Sequence, residues 1–254
     1  MNILVLMKQT FDTEEKIVLQ NGTICEDGVN FIINPYDEYA IEEAIKLRDE
    51  HGGEVTIITV GPERAENALR TALAMGADKA VIVDSDDLNL DEYSTAKIIA
   101  AVIKELDFDL ILGGNVAVDY GSGQIGPRLA EELDIAQVTT ITKLEIDGNE
   151  AVIERDVEGD KEVIQVSLPV LLTAQQGLNE PRYPSLPGIM KAKKKPIKRI
   201  EMDDLNIEDE VEVKTTVTET FFPLKKEAGR ILNGDIKDQV SELAAILRSE
   251  AKVI

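Results

Sequence analysis

The chain has 254 residues, 49 of them acidic and 27 basic, and the net charge of −22 argues against general binding to nucleic-acid phosphates. Hydrophobic residues make up 43% but aromatic residues only 4%, so the core must be aliphatic, as in a parallel sheet covered by helices. No run approaches the roughly 18 apolar residues of a membrane span, and the first lysine follows the first apolar run, the wrong order for a signal peptide. We therefore expect a cytoplasmic protein that is not inserted in a membrane.

The first half of the chain alternates short apolar runs with segments of helical periodicity. Four strands are predicted, at residues 3–7, 54–60, 80–83 and 109–112. A hairpin excursion is predicted at residues 17–31, where Asn21-Gly22 and Asp27-Gly28 are turn dipeptides. Four helices are predicted, at residues 35–51, 62–76, 92–106 and about 123–133. This alternation predicts an α/β fold with right-handed βαβ units, an open and mostly parallel sheet with helices on both faces, as in Rossmann-like nucleotide-binding folds.

The first of these helices has a clear start signal. Asn34 is a good N-cap residue, Pro35 favours the first helical position, and Asp37 suits the positive end of the helix dipole. The helix is predicted to stop at His51, before two glycines that suit a left-handed cap.

Residues 137–174 change character. The dipeptide Asp147-Gly148 lies between two apolar segments and predicts an antiparallel hairpin. Further strands are predicted at residues 163–168 and 170–174, so we expect a small antiparallel extension of the sheet.

The last part of the chain is predicted to form a C-terminal arm, residues 201–254, beside an α/β domain of residues 1–200. Residues 201–212 are acidic with few apolar side chains and predict an extended linker, whereas residues 236–247 return to helical spacing. Such a short helix is not stable alone in water, so it must pack on the core or on a partner.

Residues 178–198, here called the proline–lysine stretch, hold four prolines and end in five lysines. The prolines predict a rigid surface loop that is neither a regular helix nor a central strand through residue 187, with residues 188–195 free to coil. Leu186, Ile189 and Met190 are predicted to face outward beside the cationic patch. An apolar anchor ringed by charge is the chemistry of a docking site, but a proline-rich interdomain linker with a solvated lysine run explains the same pattern.

A ligand site is predicted where the carboxyl ends of the parallel strands meet helix N-termini. Four segments meet this description: residues 6–13, 34–37, 60–61 and 113–126. The last of them, here called the glycine-rich loop, matches neither a Walker A motif nor a GxGxxG fingerprint. Its glycines allow backbone N–H groups to approach an anion, and Ser122 and Gln124 add side-chain hydrogen bonds. It is therefore either a phosphate-binding loop or a plain glycine-rich turn before a helix, and Asp119 is either a ribose contact or a turn residue.

The sequence offers no catalytic set. The single histidine, His51, lies at a predicted helix end. The single cysteine, Cys25, has no histidine that could activate it. One cysteine cannot form a disulfide framework or a Cys-based metal site. The carboxylates follow helical faces and linkers, so no pair stands out as acid and base. A nucleotide-shaped cleft without catalytic groups predicts a binding or carrier protein, with neither catalytic residues nor a metal site of its own.

Several long segments resemble one known family. They are VIERDVEG at residues 152–159, Leu168-Pro169 and LNEPRYPSLPGIMKAKKK at residues 178–195, together with NPYDEYAIEEA, RTALAMGADKA and the glycine-rich loop. These segments closely resemble the electron transfer flavoprotein β subunit, strongly from Asn2 to about Lys198 and less so in the tail. The resemblance implies an α-subunit partner that holds the redox-active FAD. It also implies electron transport from acyl-CoA dehydrogenases, as in fatty acid β-oxidation, towards a membrane quinone oxidoreductase.

The resemblance also implies site residues. Contacts to a structural AMP fall on Leu6, Asn34, Pro35, Tyr36, Asp37, Val60, Asp119, Tyr120, Gly121, Ser122, Gly123, Gln124, Ile125, Gly126, Pro127, Arg128, Leu129 and Ala130. The docking loop of the family falls on the proline–lysine stretch, with Leu186 as its anchor beside Pro187, Ile189 and Met190. Positions facing the α-subunit flavin are Thr13 and Tyr36, and the C-terminal arm matches a segment that embraces the α subunit.

One departure bears on the nucleotide. The sequence Gln124-Ile125-Gly126-Pro127 is similar to that of flavin-bifurcating relatives, which bind a second FAD where others bind AMP. Phosphate cradling is the same for both nucleotides, so AMP and a second FAD both remain open, with AMP favoured.

Overall fold

A computed structural model describes residues 1–85, 90–207, 210–226 and 228–254. The strands are β1 (Asn2–Leu6), β2 (Gln9–Phe11), β3 (Leu19–Gln20), β4 (Thr23–Ile24), β5 (Phe31–Ile33), β6 (Glu54–Gly61), β7 (Lys79–Asp84), β8 (Leu110–Gly114), β9 (Ala136–Asp147), β10 (Glu150–Val157), β11 (Asp160–Ser167), β12 (Val170–Ala174) and β13 (Ile197–Ile200). The helices are α1 (Pro35–His51), α2 (Glu66–Met75), α3 (Glu92–Ile103), α4 (Ile125–Leu133), α5 (Leu186–Ala192) and α6 (Ile236–Ser249), with 3-10 turns at Glu63–Ala65 and Met202–Asp204. Among the described residues, no helix is both long and apolar enough to cross a bilayer.

The main sheet has the strand order β11-β10-β9-β12-β8-β1-β6-β7-β13. In this spatial order, every neighbouring pair from β9-β12 to β7-β13 is parallel. The two remaining pairs, β11-β10 and β10-β9, are antiparallel. The predicted mostly parallel sheet is therefore confirmed, and so is the hairpin at Asp147-Gly148. The antiparallel extension is no separate sheet, because the long strand β9 joins it to β12.

Helices cover both faces of this sheet, as predicted. One aliphatic core lies between the sheet and the helices α1 and α2, and a second lies between the sheet and the helices α3 and α4. The central strands β1, β8 and β12 are buried on both faces, which explains why they are continuous apolar runs without alternation. The predicted hairpin within residues 17–31 is the small antiparallel sheet of β3 and β4. A second small antiparallel sheet, β2 with β5, was not predicted and flanks this hairpin.

The prediction that residues 188–195 coil is wrong for residues 188–192, and the prediction of no helix through residue 187 is wrong from Leu186 onward. Ser185 accepts a hydrogen bond from the backbone N–H of Gly188 at 3.1 Å and caps helix α5, which begins at Leu186. Proline is tolerated in the first turn of a helix, where its missing N–H has no intrahelical partner, so Pro187 does not prevent this helix. The strand β13 then follows and pairs in parallel with β7.

Two predicted boundaries also need correction. Strand β8 continues through Gly113 and Gly114, which were predicted to end it, because both residues pair with β12. Helix α3 ends at Ile103, a turn earlier than predicted.

The acidic segment after β13 is only in part an extended linker. A 3-10 turn follows β13, and Met202, Leu205, Ile207 and Val211 pack against the second core. Glu208 and Asp209, which belong to the same predicted linker, lie outside the described residues.

Residues 216–254, here called the tail, end in helix α6. Its predicted apolar stripe is not covered by the rest of the chain, since Val240 is 60% exposed and Leu243 is 47% exposed. The sequence predicts that this helix packs either on the core or on a partner. Among the described residues it does not pack on the core, so packing on a partner is the prediction that remains.

Candidate functional site

A cleft of about 340 Å³ opens at the carboxyl ends of β1, β6 and β8, where the sequence places a ligand site. Its lining consists of Leu6, Met7, Lys8, Asn34, Asp37, Ile58, Val60, Gly61, Pro62, Ser85, Leu90, Asp91, Glu92, Thr95, Ile99, Gly113, Gly114, Asn115, Val116, Ala117, Tyr120, Ser122, Gly123, Gln124, Ile125, Gly126 and Thr173. All four segments selected from the sheet topology contribute to this lining.

Ten of the implied nucleotide contacts lie together in this lining. They are Leu6, Asn34, Asp37, Val60, Tyr120, Ser122, Gly123, Gln124, Ile125 and Gly126. The other eight are outside the lining: Pro35 and Tyr36 form the first turn of α1, Asp119 and Gly121 belong to the glycine-rich loop, Pro127 and Arg128 follow in α4, and Leu129 and Ala130 are buried in the second core. Thr13 lies outside the lining, in an exposed turn after β2.

Asn34 and Asp37 join three segments at the floor of the cleft. The Asp37 carboxylate accepts hydrogen bonds from the backbone N–H of Lys8 at 2.7 Å, that of Gly114 at 3.0 Å and Asn34 Nδ2 at 3.0 Å. Asn34 Nδ2 also donates to the carbonyl of Val116 at 3.0 Å, and its Oδ1 accepts from the backbone N–H of Val118 at 3.1 Å. The Asn34 side chain is therefore no helix cap, contrary to the sequence prediction, because it fixes the glycine-rich loop instead.

The Asp37 carboxyl group is the most strongly perturbed group of the cleft. Its burial raises its pKa to about 7, although the three N–H donors and the nearby Lys8 ammonium act in the opposite direction. The charge of this floor therefore changes near neutral pH.

The N-terminus of helix α4 presents a run of free backbone donors to the cleft. In the described part of the chain, the N–H groups of residues 122–126 have no hydrogen-bond partner, and the residues themselves line the cleft. Gln124 does not cap the helix, since its Oε1 accepts two hydrogen bonds from the Arg128 guanidinium, at 3.0 and 2.7 Å. Unsatisfied N–H groups and the positive end of the helix dipole make such a terminus suitable for an anion.

The glycines of this loop have two separate roles. Gly121 and Gly123 have φ values of +69° and +62°, which turn the chain into helix α4. Gly114 and Gly126 instead allow close packing: a Cβ at Gly114 would lie 2.3 Å from Asp37 Oδ1, and one at Gly126 would lie 2.7 Å from Thr173 Cγ2. Only the first pair fits the sequence argument that these glycines shape an anion site.

Asp119 lies at the rim of the cleft and pairs with Lys8. The Lys8 ammonium is 2.7 Å from Asp119 Oδ2, and it lies 4.9 Å from the centre of the Tyr120 ring. Asp119 is not part of the lining. Its carboxylate links the glycine-rich loop to the end of β1 through the ion pair with Lys8.

The wall formed by α3 was missed by the sequence analysis. Asp91, Glu92 and Thr95 line the cleft from the first turn of α3. Asp91 Oδ1 accepts from the backbone N–H of Ser94 at 2.9 Å, and Ser94 Oγ accepts from the backbone N–H of Asp91 at 2.9 Å, a capping box. The sequence signal was present, since an Asp three residues before a Ser at a helix start is a capping pattern.

Asp91 also binds the chain beyond the acidic segment. Its Oδ2 accepts hydrogen bonds from the backbone N–H of Lys214 and of Thr215, both at 2.8 Å. Burial pushes the pKa of Asp91 upward, but the hydrogen bonds from Ser94, Lys214 and Thr215 outweigh it and hold the pKa well below its usual range. The carboxylate therefore stays charged at physiological pH.

A second surface feature lies away from the cleft, on helix α5. Leu186 is 80% exposed and Met190 is 69% exposed, with Pro187 and Ile189 also exposed beside them. The lysines of the proline–lysine stretch are exposed except Lys195, whose ammonium donates to the carbonyls of Leu73 at 3.1 Å and of Ala77. The apolar anchor beside a cationic patch is thus present on the surface as predicted, with one lysine turned inward.

Within the described residues, no group of three or more His, Cys, Asp or Glu side chains is arranged to hold a metal ion. His51 is an exposed residue at the end of α1, and Cys25 lies just after β4.

Comparison with known proteins gives one consistent result. Residues 21–205 match the family model "Electron transfer flavoprotein domain". The electron transfer flavoprotein subunit beta of Bacillus subtilis is 62% identical, with 100% of both chains covered. The chain belongs to the electron transfer flavoprotein family, as a β subunit.

Two further relatives of this flavoprotein subunit cover nearly its whole length. The electron transfer flavoprotein subunit beta of Thermoanaerobacterium thermosaccharolyticum is 45% identical, with 98% of both chains covered. The caffeyl-CoA reductase-Etf complex subunit CarD of Acetobacterium woodii is 38% identical, with 99% of this chain and 98% of that one covered. Membership of the family implies a flavin and an α-subunit partner.

Proposed function

We propose that this β subunit carries electrons together with its α subunit, holds AMP in the cleft as a structural ligand, and presents helix α5 as the docking anchor for its electron donors. The donors are acyl-CoA dehydrogenases and related flavoenzymes, as in fatty acid β-oxidation. The acceptor is a membrane quinone oxidoreductase, and the complex acts in the cytoplasm. The chain supplies binding surfaces and no catalytic group.

The observation that carries the nucleotide proposal is the run of free N–H groups at residues 122–126. A phosphate at this position accepts hydrogen bonds that the protein leaves unmade, and it lies at the positive end of α4. Leu6, Ile99 and Ile125 provide apolar lining for an adenine ring.

The cleft is large enough for a mononucleotide, since its volume of about 340 Å³ lies within the range of about 300–1,000 Å³ for small-molecule sites. The alternative, a flavin-bifurcating complex with a second FAD here, is favoured by the Gln124-Ile125-Gly126-Pro127 sequence and by a relative named as a subunit of a CoA reductase complex.

The FAD of the α subunit supplies the redox chemistry, because it accepts and releases electrons one or two at a time. The residues of this chain contribute position: Tyr36 in the first turn of α1 and Thr13 after β2 are the side chains proposed to face that flavin. The tail supplies the contact that holds the α subunit.

The nucleotide proposal is tested by purifying the chain with its α subunit, releasing the bound nucleotides by acid or heat, and counting them by chromatography. We expect one FAD and one AMP per heterodimer. Two FAD and no AMP would establish the bifurcating alternative, whereas a heterodimer with one FAD and nothing else would show that the cleft does not bind a phosphate.

Two glycine variants make this test specific to the glycine-rich loop. Gly121→Ala strains a residue at φ +69°, and Gly148→Ala strains the β9–β10 turn at φ +60°; neither new Cβ meets an atom within 4 Å. Backbone strain is thus matched in the two variants. Gly121→Ala should lose AMP and Gly148→Ala should keep it; equal retention in both would remove the loop from the binding site.

A further inference from the structure

Helix α5 is fixed by charged side chains from α1 and α2 that belong to neither the cleft nor the exposed face of α5. Its seven residues are too few to form a stable helix alone in water, so the surrounding contacts must hold it. These contacts are made by the segment that precedes the helix in the sequence and by the residues at its C-terminal end.

The segment before α5 is held by α1. The Arg182 guanidinium donates two hydrogen bonds to the Glu42 carboxylate, Nε to Oε2 at 2.7 Å and Nη2 to Oε1 at 2.9 Å, and the backbone N–H of Arg182 donates to Oε2 at 3.1 Å. Asn179 Nδ2 donates to Glu43 Oε2 at 2.8 Å and to the carbonyl of Tyr39 at 2.9 Å. The Glu42 side chain is only 7% exposed whereas that of Arg182 is 40% exposed, so the pair is half-buried, and its two parallel hydrogen bonds make it more specific in geometry than an ordinary surface pair.

The end of α5 is held by α2. Arg70 Nη1 donates to the carbonyls of Ala192 and Lys195, both at 2.9 Å, while its Nη2 donates to Glu66 Oε1 at 3.0 Å. The Lys195 ammonium reaches back to the carbonyls at the end of α2, and burial lowers its pKa. The carbonyl of the last residue of α5 and that of Lys195 just after it are thereby bound to one planar guanidinium.

Close backbone packing fixes the middle of the helix. A Cβ at Gly188 would lie 2.4 Å from the carbonyl oxygen of Ala74, so α5 touches α2 directly. With this side of α5 against α2 and Ala192 buried, Leu186 and Met190 remain exposed.

We propose that Glu42 and Arg70 are positioning residues that hold helix α5 in its docking orientation before a partner arrives. The inference rests on the proposed docking function of α5. A preformed helix spares the partner the entropy of ordering the segment, so loss of either residue weakens docking without removing any contact to the partner.

The test measures the steady-state rate of electron transfer to a fixed amount of heterodimer while the concentration of an acyl-CoA dehydrogenase is varied. The variants are Glu42→Gln, which breaks the ion pair at nearly constant shape, and Arg70→Lys, whose ammonium lacks the planar fork. The matched controls are Glu162→Gln and Arg155→Lys, which alter an Arg–Glu pair of the β10–β11 hairpin with Nε–Oε2 at 2.8 Å. Leu186→Ala reports on docking itself.

We expect Glu42→Gln and Arg70→Lys to raise the KM for the dehydrogenase by about three- to tenfold with kcat nearly unchanged. Amide hydrogen exchange of residues 188–193 should accelerate by about tenfold in these variants, while the strands of the sheet keep their protection. Both controls should leave KM and exchange unchanged. Comparison of KM with kcat separates positioning from a general loss of stability, which would lower the active fraction and kcat instead.

Two results overturn different claims. If Leu186→Ala raises KM but Glu42→Gln and Arg70→Lys do not, the positioning inference is wrong and the docking function stands. If Leu186→Ala leaves KM unchanged, the docking function of α5 is wrong, and the inference falls with it. Should Glu42→Gln fail to fold, the Arg70→Lys variant decides alone, because the half-buried site of Arg70 tolerates lysine, which is also a cation.

Discussion

The main body of the molecule, residues 1–207, and the tail, residues 216–254, use apolar side chains in opposite ways. The body buries its aliphatic residues on both faces of one sheet. The tail exposes most of its apolar side chains: Val217, Phe221, Phe222, Leu224, Ile231, Ile236, Val240, Leu243, Val253 and Ile254. Among the described residues of the tail, the side-chain hydrogen bonds and the ion pair stay within the tail. The described part of the body therefore forms its cores from its own side chains, whereas the tail is suited to a surface supplied by another chain.

Stability and assembly are therefore expected to depend on different regions of the chain. A substitution in the body should act on the free energy of unfolding, and one in the tail should act on association with the α subunit.

The largest difference is expected between two leucine truncations measured in the isolated chain. Leu172→Ala removes a fully buried side chain of β12 and should lower the free energy of unfolding by about 2–5 kcal/mol. Leu243→Ala alters a 47% exposed side chain of α6 and should change it by less than about 0.5 kcal/mol. Urea denaturation followed by circular dichroism measures both. A loss above 2 kcal/mol for Leu243→Ala would show that the tail packs on the body in solution.

The same tail variant should weaken assembly. Leu243→Ala is expected to reduce affinity for the α subunit by about 2 kcal/mol, roughly thirtyfold, because it truncates the centre of the apolar stripe. Glu242→Ala is the neighbouring control, since it changes an exposed charge of the same helix outside the stripe. Titration calorimetry with purified α subunit measures both. Equal affinities for the two variants would mean that α6 does not form the contact.

The smallest effect concerns the floor of the cleft. The pKa of Asp37 is raised to about 7 in the folded body from about 4 in the unfolded chain. A carboxyl group whose pKa is raised by folding stabilises the folded state most at pH values below its unfolded pKa of about 4. This stabilisation is lost as the pH rises through the folded pKa of about 7. Between pH 6 and pH 8, the free energy of unfolding should therefore fall by about 1 kcal/mol more in the natural chain than in Asp37→Asn.

This pH effect is measured by urea denaturation of both proteins at several pH values. The variant keeps one side-chain oxygen as an acceptor, so it should fold while lacking the titration. Parallel curves for the two proteins between pH 6 and pH 8 would show that Asp37 stays charged in the folded state.

The sheet was predictable because its signals are local. Each central strand is a continuous apolar run, and Pro35 and Gly52 mark the ends of α1 within a few residues. Asp147-Gly148 likewise defines its turn through its own backbone preference, which needs no distant contact.

The cleft was predictable only in part because its interactions join distant residues. Asn34 binds Val116 and Val118, which lie 82 and 84 positions away, so a residue that resembles a helix cap serves another loop. The α3 wall was missed because its approach to the sheet follows from packing between elements. Helix α5 was missed because four prolines outweighed the single capping residue Ser185.

Asp91 fixes both the first turn of α3, at the wall of the cleft, and the backbone of Lys214 and Thr215, where the tail begins. The tail is therefore a tether with one anchored end. A subunit bound to its far end stays near the cleft at an effective concentration of the order of millimolar, whatever happens at other contacts. A partner held by this tether would rebind the body many times before it dissociates from the tail.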